Sequence, residues 1–231
     1  GWDVDPSIIR VVPDVLEAYE IFLRELVGAG NSVIVPTPAY MPFLSVPKLY
    51  DVDVIEIEML QSGDAETGEA QWVFDFDAIE RAFAAGCHAF VLCNPHNPIG
   101  KVLTLEEELR LSDLAAQYDV RIFNDEIHAP FVFEGKHIPF PTISEQAALQ
   151  SMTATSASKS FNIPGTKCAQ VLLTNPADRD MWAVKAEWSE HQTATIGAIA
   201  TTTAYNEGDL WFQDAFAYVC RNLALFDEQM R

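Results

Sequence analysis

Short, continuous apolar runs alternate along this chain with stretches of helical period. Ala89-Phe90-Val91-Leu92-Cys93 and Val120-Arg121-Ile122-Phe123 are apolar almost throughout, as strands buried on both faces of a parallel sheet are. Ser32-Val33-Ile34-Val35-Pro36 reads as a strand that ends at proline, and Val52-Asp53-Val54-Ile55-Glu56-Ile57 alternates as a half-buried one. Residues 150–154 and 168–174 add two more strand-like runs. Val15, Leu16, Tyr19, Phe22, Leu23 and Leu26 fall at helical spacing behind a Val12-Pro13-Asp14 entry, and Gly28-Ala29-Gly30-Asn31 stops that helix. Phe74-Asp75-Phe76-Asp77 leads into a helix through Ile79 and Phe83. Thr104-Leu105-Glu106-Glu107 opens another as a capping box, running to about Tyr118. Residues 61–71 read as a polar, glycine-containing loop. From Pro176 the pattern is helical, through Met181, Trp182, Val184 and Trp188, then residues 196–200, then residues 210–230. Strands alternating with helices predict an α/β fold.

The candidate chemistry lies where the apolar runs end. The 89–93 strand runs into Asn94-Pro95-His96-Asn97-Pro98-Ile99-Gly100, and the 120–123 strand into Asn124-Asp125-Glu126-Ile127-His128. After the 150–154 run comes Thr155-Ser156-Ala157-Ser158-Lys159-Ser160-Phe161-Asn162, a lysine among small hydroxyl residues with no helical amphipathic period. Taken alone, such a lysine reads as a solvated loop residue. In open α/β sheets, however, ligands bind beyond the carboxyl ends of the strands. Asn97, Asp125, His128 and Lys159 are therefore expected at one edge of one sheet.

These motifs, together with Thr37-Pro38-Ala39-Tyr40-Met41-Pro42-Phe43, occur in the order and rough spacing that resemble fold-type I pyridoxal 5′-phosphate (PLP) enzymes of the class I/II aminotransferase family. N-P-H-N-P-x-G, D-E-I-H and S-K-S-F-N are similar to the cystathionine β-lyase-like C–S lyase branch. The motifs span residues 37–162, with weaker similarity toward both ends. The resemblance implies a three-layer α/β/α large domain with a mixed, mainly parallel seven-stranded sheet. It also implies a reaction, β-elimination from an S-linked amino acid such as cystathionine or cysteine.

The resemblance further implies residue roles. Lys159 would carry PLP covalently and, once freed, take the Cα proton as general base. Asp125 would keep the pyridine nitrogen protonated, without which PLP is a poor electron sink. Tyr40 would stack on the pyridine ring. Asn97 and His128 would hold the phenolic oxygen; His128 stands where many aminotransferases have tyrosine. The phosphate would be met by Ser156, by Ser158, by Lys167 where many members have arginine, and by the backbone N–H groups of Val15 and Leu16 at a helix N-terminus. Asp14 stands where the family commonly has glycine, and is expected to turn away as an N-cap because a carboxylate repels phosphate. His96 is common in the branch and is given no catalytic role; His137 reads as a loop residue.

Composition narrows the picture. Thirty-four acidic against 14 basic residues give a net charge of −20, which disfavours nucleic acid and anionic membrane as partners. No apolar run reaches membrane-spanning length and no signal peptide is evident. The cysteines at 87, 93, 168 and 220 have no metal-ligand spacing, Cys93 and Cys168 reading as buried small hydrophobes; reduced thiols fit a cytoplasmic protein. The chain begins at Gly1-Trp2 without methionine. By resemblance, residues 1–231 correspond to the PLP-binding large domain, with an N-terminal segment before Trp2 and a C-terminal small domain after about Arg231 outside it. A class I/II aminotransferase, sharing the same residues, is one alternative. A non-catalytic PLP-fold fragment or binding module is another. The small apolar stretch at 194–204 and the apolar face carrying Trp211, Phe212, Phe216, Val219, Leu223, Leu225 and Phe226 predict a homodimer or larger assembly.

Overall fold

The computed structural model describes residues 2–63 and 70–230. A seven-stranded sheet runs through it in the order β1-β9-β8-β7-β6-β2-β3. Its strands are β1 (Ile9–Val12), β2 (Ser32–Thr37), β3 (Asp53–Glu58), β6 (Ala89–Cys93), β7 (Arg121–Asp125), β8 (Ser151–Thr155) and β9 (Ala169–Leu172). A two-stranded antiparallel hairpin, β4 (Leu60–Ser62) with β5 (Gln71–Val73), lies apart from it. The helices are α1 (Val15–Phe22), α2 (Pro42–Ser45), α3 (Phe76–Ala84), α4 (Leu105–Gln117), α5 (Glu145–Gln150), α6 (Ala157–Ser160), α7 (Pro176–Lys185), α8 (Glu187–Glu190), α9 (Thr195–Glu207) and α10 (Asp209–Met230).

The five strands β3, β2, β6, β7 and β8 are parallel, and β9 and β1 add antiparallel pairings at the other edge. This is the mixed, mainly parallel sheet that the resemblance implies. Alternate side chains on the buried strands feed two cores. Val33, Val35, Val91, Phe123, Met152 and Val171 face Ala18, Tyr19 and Phe22 of α1 and Trp182 of α7. Ile34, Phe90, Leu92 and Ile122 face Ile79 and Phe83 of α3, Leu111 and Ala115 of α4 and Ala147 of α5. Both faces being covered is why β6 reads as an unbroken apolar run and β7 as a nearly apolar one around Ile122 and Phe123.

Several local expectations are corrected. Val12 does not belong to a helix entry; it closes β1, an edge strand that the proline after it disguised. α1 starts at Val15 and ends in a π-helical turn over Leu23–Val27. The 61–71 segment is not all loop: its ends pair as β4 and β5, with Gln61 opposite Trp72, while residues 64–69 lie outside the described residues. Lys159 lies on a one-turn helix, α6, too short to show a period. The capping box at Thr104 is present, with Thr104 Oγ1 accepting from Glu107 N and Glu107 Oε2 from Thr104 N.

Candidate active site

Register sets the site. Cys93 pairs with Asp125, and Asp125 with Ala154, so β6, β7 and β8 end at one level. The loops after β6 and β7 carry Asn97 and His128, the one-turn helix α6 after β8 carries Lys159, and the loop after β2 carries Tyr40. They converge on a cavity of about 190 Å³ whose wall includes all ten residues singled out from the sequence: Val15, Leu16, Tyr40, Asn97, Asp125, His128, Ser156, Ser158, Lys159 and Lys167. Cys93 and Ile127, for which no site role was expected, also line it.

Asp125 is buried, and its Oδ1 accepts from Ile127 N at 3.0 Å. Among the described residues Oδ2 has no hydrogen-bond partner, and Asp125 is part of the cavity wall. Burial pushes this carboxyl up from 3.8 to about 7; the Ile127 N–H opposes the rise, the neighbouring Glu126 adds to it, and Lys159 opposes it. Burial, and then the charge of Lys159, hold His128 below the usual imidazole range. Tyr40 is 38% exposed, with its ring set edge-on against Phe43 at 5.7 Å. Phe43 is in turn locked between Tyr19 and Phe123. The ring plane of Tyr40 is thus fixed from the core.

One end of the cavity is built for an anion. At the start of α1, Asp14 Oδ1 accepts from Glu17 N at 3.0 Å, and Ala18 N reaches Asp14 O. The N–H groups of Val15 and Leu16 remain without a protein acceptor among the described residues, at the positive end of the helix dipole. Lys167, in the left-handed region at φ 56°, brings its Nζ within 2.8 Å of Asp14 Oδ2. Asp14 is therefore an N-cap, as expected, but it does not leave the site: its second oxygen occupies the lysine. Ser156 departs further from expectation. Its Oγ donates to Cys168 O at 2.7 Å and accepts from Ser158 N at 3.1 Å, so its proton is committed to the chain. Ser156 holds α6 against the start of β9, and Ser158 is the hydroxyl left to the cavity.

Sequence reasoning missed the polar layer beneath these loops. Glu108 is fully buried and accepts from Asn94 Nδ2 at 2.6 Å, while Asn94 Oδ1 accepts from Leu103 N. Burial, with Glu126 nearby, raises the Glu108 carboxyl to about 8. Glu126 accepts from Asn124 Nδ2 and from Phe140 N, both at 2.8 Å, and His137 Nε2 lies 3.2 Å from its other oxygen. His137 is thus a buried partner of Glu126, more than a loop residue. His96 is also buried and points its Nε2 at Pro38 O, 2.9 Å away, tying the Asn97 loop to the Tyr40 loop. A signal for Glu108 was present: it occupies the inward helical position of the set Leu111, Ser112 and Ala115, where an apolar residue belongs.

The chain has relatives that bear on this geometry. A cystathionine β-lyase of Corynebacterium glutamicum is 36% identical over 93% of this chain and 55% of its own length. The cystathionine β-lyase PatB of Bacillus subtilis (strain 168) is 28% identical over 96% of this chain and 57% of its own. Among solved structures, cystalysin from Treponema denticola, which contains a pyridoxal 5′-phosphate cofactor, superposes with a TM-score of 0.89 at 27% identity, over 98% of this chain and 57% of that one. The chain spans about half the length of the curated relatives it matches. The family model for aminotransferase class I and II matches residues 9–227. With the motif residues gathered at one sheet edge and nearly the whole chain inside that match, this chain belongs to the aminotransferase class I and II family.

Proposed function

We propose that residues 1–231 form the PLP-binding large domain of a carbon–sulfur β-lyase that splits S-linked cysteines such as cystathionine into a thiol, pyruvate and ammonia. The observation that carries this reading is Asp125. It is a buried carboxyl group at a strand end, with one oxygen fixed by Ile127 N–H and the other without a hydrogen-bond partner among the described residues, in the wall of a cavity that Lys159 also lines. An uncompensated buried carboxylate is costly, and a protonated ring nitrogen is the partner that would offset the cost. The other end of the cavity, with two unused helix N–H groups, Ser158 and Lys167, fits a phosphate. The residues present fit PLP at both ends.

PLP, when bound, supplies an electron sink for the charge left at Cα. Asp125 would hold a proton on the ring nitrogen. Asn97 and His128 would hold the phenolic oxygen, burial and the charge of Lys159 holding the His128 imidazole below its usual range. Tyr40 would cover the ring and exclude water from it. Lys159 would anchor the group and, when free, would be the base for the Cα proton. The sulfur would leave Cβ with the bonding pair and take up a proton, equivalent to the one removed from Cα, and water would convert the three-carbon remainder to pyruvate and ammonia.

The assembly is proposed to be a homodimer. Leu210, Trp211, Tyr218, Leu223, Leu225 and Phe226 of α10 are each more than half exposed, more apolar surface than monomers commonly leave open. A cytoplasmic location is proposed on the four free cysteines, three of them buried. No helix among the described residues is long and apolar enough to cross a membrane.

The test is direct. Protein loaded with PLP and reduced with borohydride is expected to carry the pyridoxyl label on Lys159, read by peptide mass spectrometry; a label on Lys167 or Lys101 overturns the assignment. Pyruvate release from cystathionine without an added keto acid supports the lyase. Amino transfer that depends on a keto acid assigns the chain to the aminotransferases instead.

A further inference from the structure

Asn97 and His128 also line a second, more open chamber of about 190 Å³, walled by Pro95, Pro98, Gly100, Phe131 and Phe133 as well as His96. Because these two residues line both spaces, the chamber adjoins the site. Its two rings are held from behind by α10. Phe131 meets Phe212 at 5.6 Å and Phe216 at 6.4 Å, and Phe133 stacks on Phe216 at 5.3 Å with 15° between planes. The adjacent cation, Lys101, is already 2.8 Å from Glu107, with both side chains little exposed. Burial holds His96 and His128 toward their neutral forms. The chamber thus offers aromatic and proline surface and no uncommitted charge.

We propose that this chamber binds the sulfur substituent of the substrate and selects an uncharged, apolar one, an S-benzyl or S-alkyl group, over the zwitterionic homocysteine arm of cystathionine. The proposal rests on the lyase reading for its role in catalysis, but not for its binding preference. A charged arm entering here loses its water and finds no counter-ion. A benzyl group gains offset or edge contacts with Phe131 and Phe133. Elimination would then place the departing sulfur next to His128, at the junction of the two spaces.

The experiment has two arms on the PLP-loaded chain. In the first, 4-fluorobenzyl methyl sulfide, an uncharged thioether that cannot react, is titrated and followed by fluorine NMR line broadening. Binding is expected in the native chain and in Phe133→Leu, and a loss of at least tenfold in Phe133→Asp; Phe133 is 47% exposed, so folding is expected to survive and is checked by circular dichroism. In the second, kcat/KM is compared for S-benzyl-L-cysteine and cystathionine, with at least a tenfold preference for the former that Phe133→Asp abolishes. In a full-length protein that contains this domain, probe binding without turnover of either substrate upholds the chamber and sinks the lyase reading. Turnover of cystathionine equal to or better than S-benzyl-L-cysteine, or a probe that binds Phe133→Asp as well as the native chain, overturns the chamber.

Discussion

Replacing Asp14 by asparagine is expected to tighten binding of inorganic phosphate and of PLP. Asp14 does two things at once: Oδ1 caps Glu17 N at 3.0 Å and Oδ2 holds Lys167 Nζ at 2.8 Å. Asparagine caps a helix about as well as aspartate, so the first is retained. The second is lost, which frees the lysine and removes a negative charge from the wall that the phosphate would face. Asp14 and Lys167 side chains are 40% and 56% exposed, so the dielectric around them is close to that of water. Two unit charges about 4 Å apart in that medium interact by about 1 kcal/mol. The phosphate carries up to about two charges, and salt screens part of the repulsion. A gain of about 1 kcal/mol, or roughly fivefold in Kd, is the expected result. Folding stability is expected to stay within about 1 kcal/mol, since exposed ion pairs contribute little. Calorimetric titration with phosphate and absorbance titration with PLP, each at low and moderate salt, measure the effect. Unchanged or weaker binding at low salt would show that Asp14 does not compete for Lys167, and the argument would fail.

Two further outcomes follow from the geometry. Asp125→Asn is expected to abolish turnover and yet to stabilise the cofactor-free chain above pH 7. The native carboxyl is raised from 3.8 to about 7, chiefly by burial, so the folded state retains a proton that the unfolded state has lost; native stability falls as pH rises across that window and levels off above it. At about 1.4 kcal/mol per unit the difference reaches at most about 4 kcal/mol and vanishes below pH about 4; parallel Tm–pH curves for the two proteins would refute it. Gly197→Ala sets helix propensity against packing. Alanine gains up to about 1 kcal/mol in a helix interior, but its Cβ would lie 2.2 Å from Thr166 O and 2.9 Å from Lys167 O, a backbone clash that wins. A net loss of about 1–3 kcal/mol, with weaker PLP binding because the Lys167 turn is displaced, is expected in thermal melts and titrations; an unchanged Tm would show that α9 can shift freely.

The sequence determined the elements buried on both faces and the chemistry at their ends. β6 was legible because a strand covered by helices on either side has no polar position to interrupt it, and β7 because Ile122 and Phe123 follow Val120 with only Arg121 between. Asp125 and Asn97 were legible because polar residues there follow apolar runs; Lys159, after a run of small polar residues, stood out only through the motif resemblance. The edge was harder: β1 is four residues long, carries Arg10, and precedes a proline, so its local pattern is not that of a strand. Its pairing with β9 depends on residues about 160 positions away, Ile9 opposite Leu172. The partners of polar groups were likewise decided only by the tertiary structure. Ser156 looked like a phosphate ligand until Cys168 O took its proton, and Asp14 looked displaced until Lys167 reached it across the cavity. Gly197, in a stretch read as allowing close helix or chain approach, lets α9 close on the backbone of the Lys167 turn. Periodicity records which way a residue faces within its own element. Which donor meets which acceptor depends on how distant elements pack, and no local pattern carries that information.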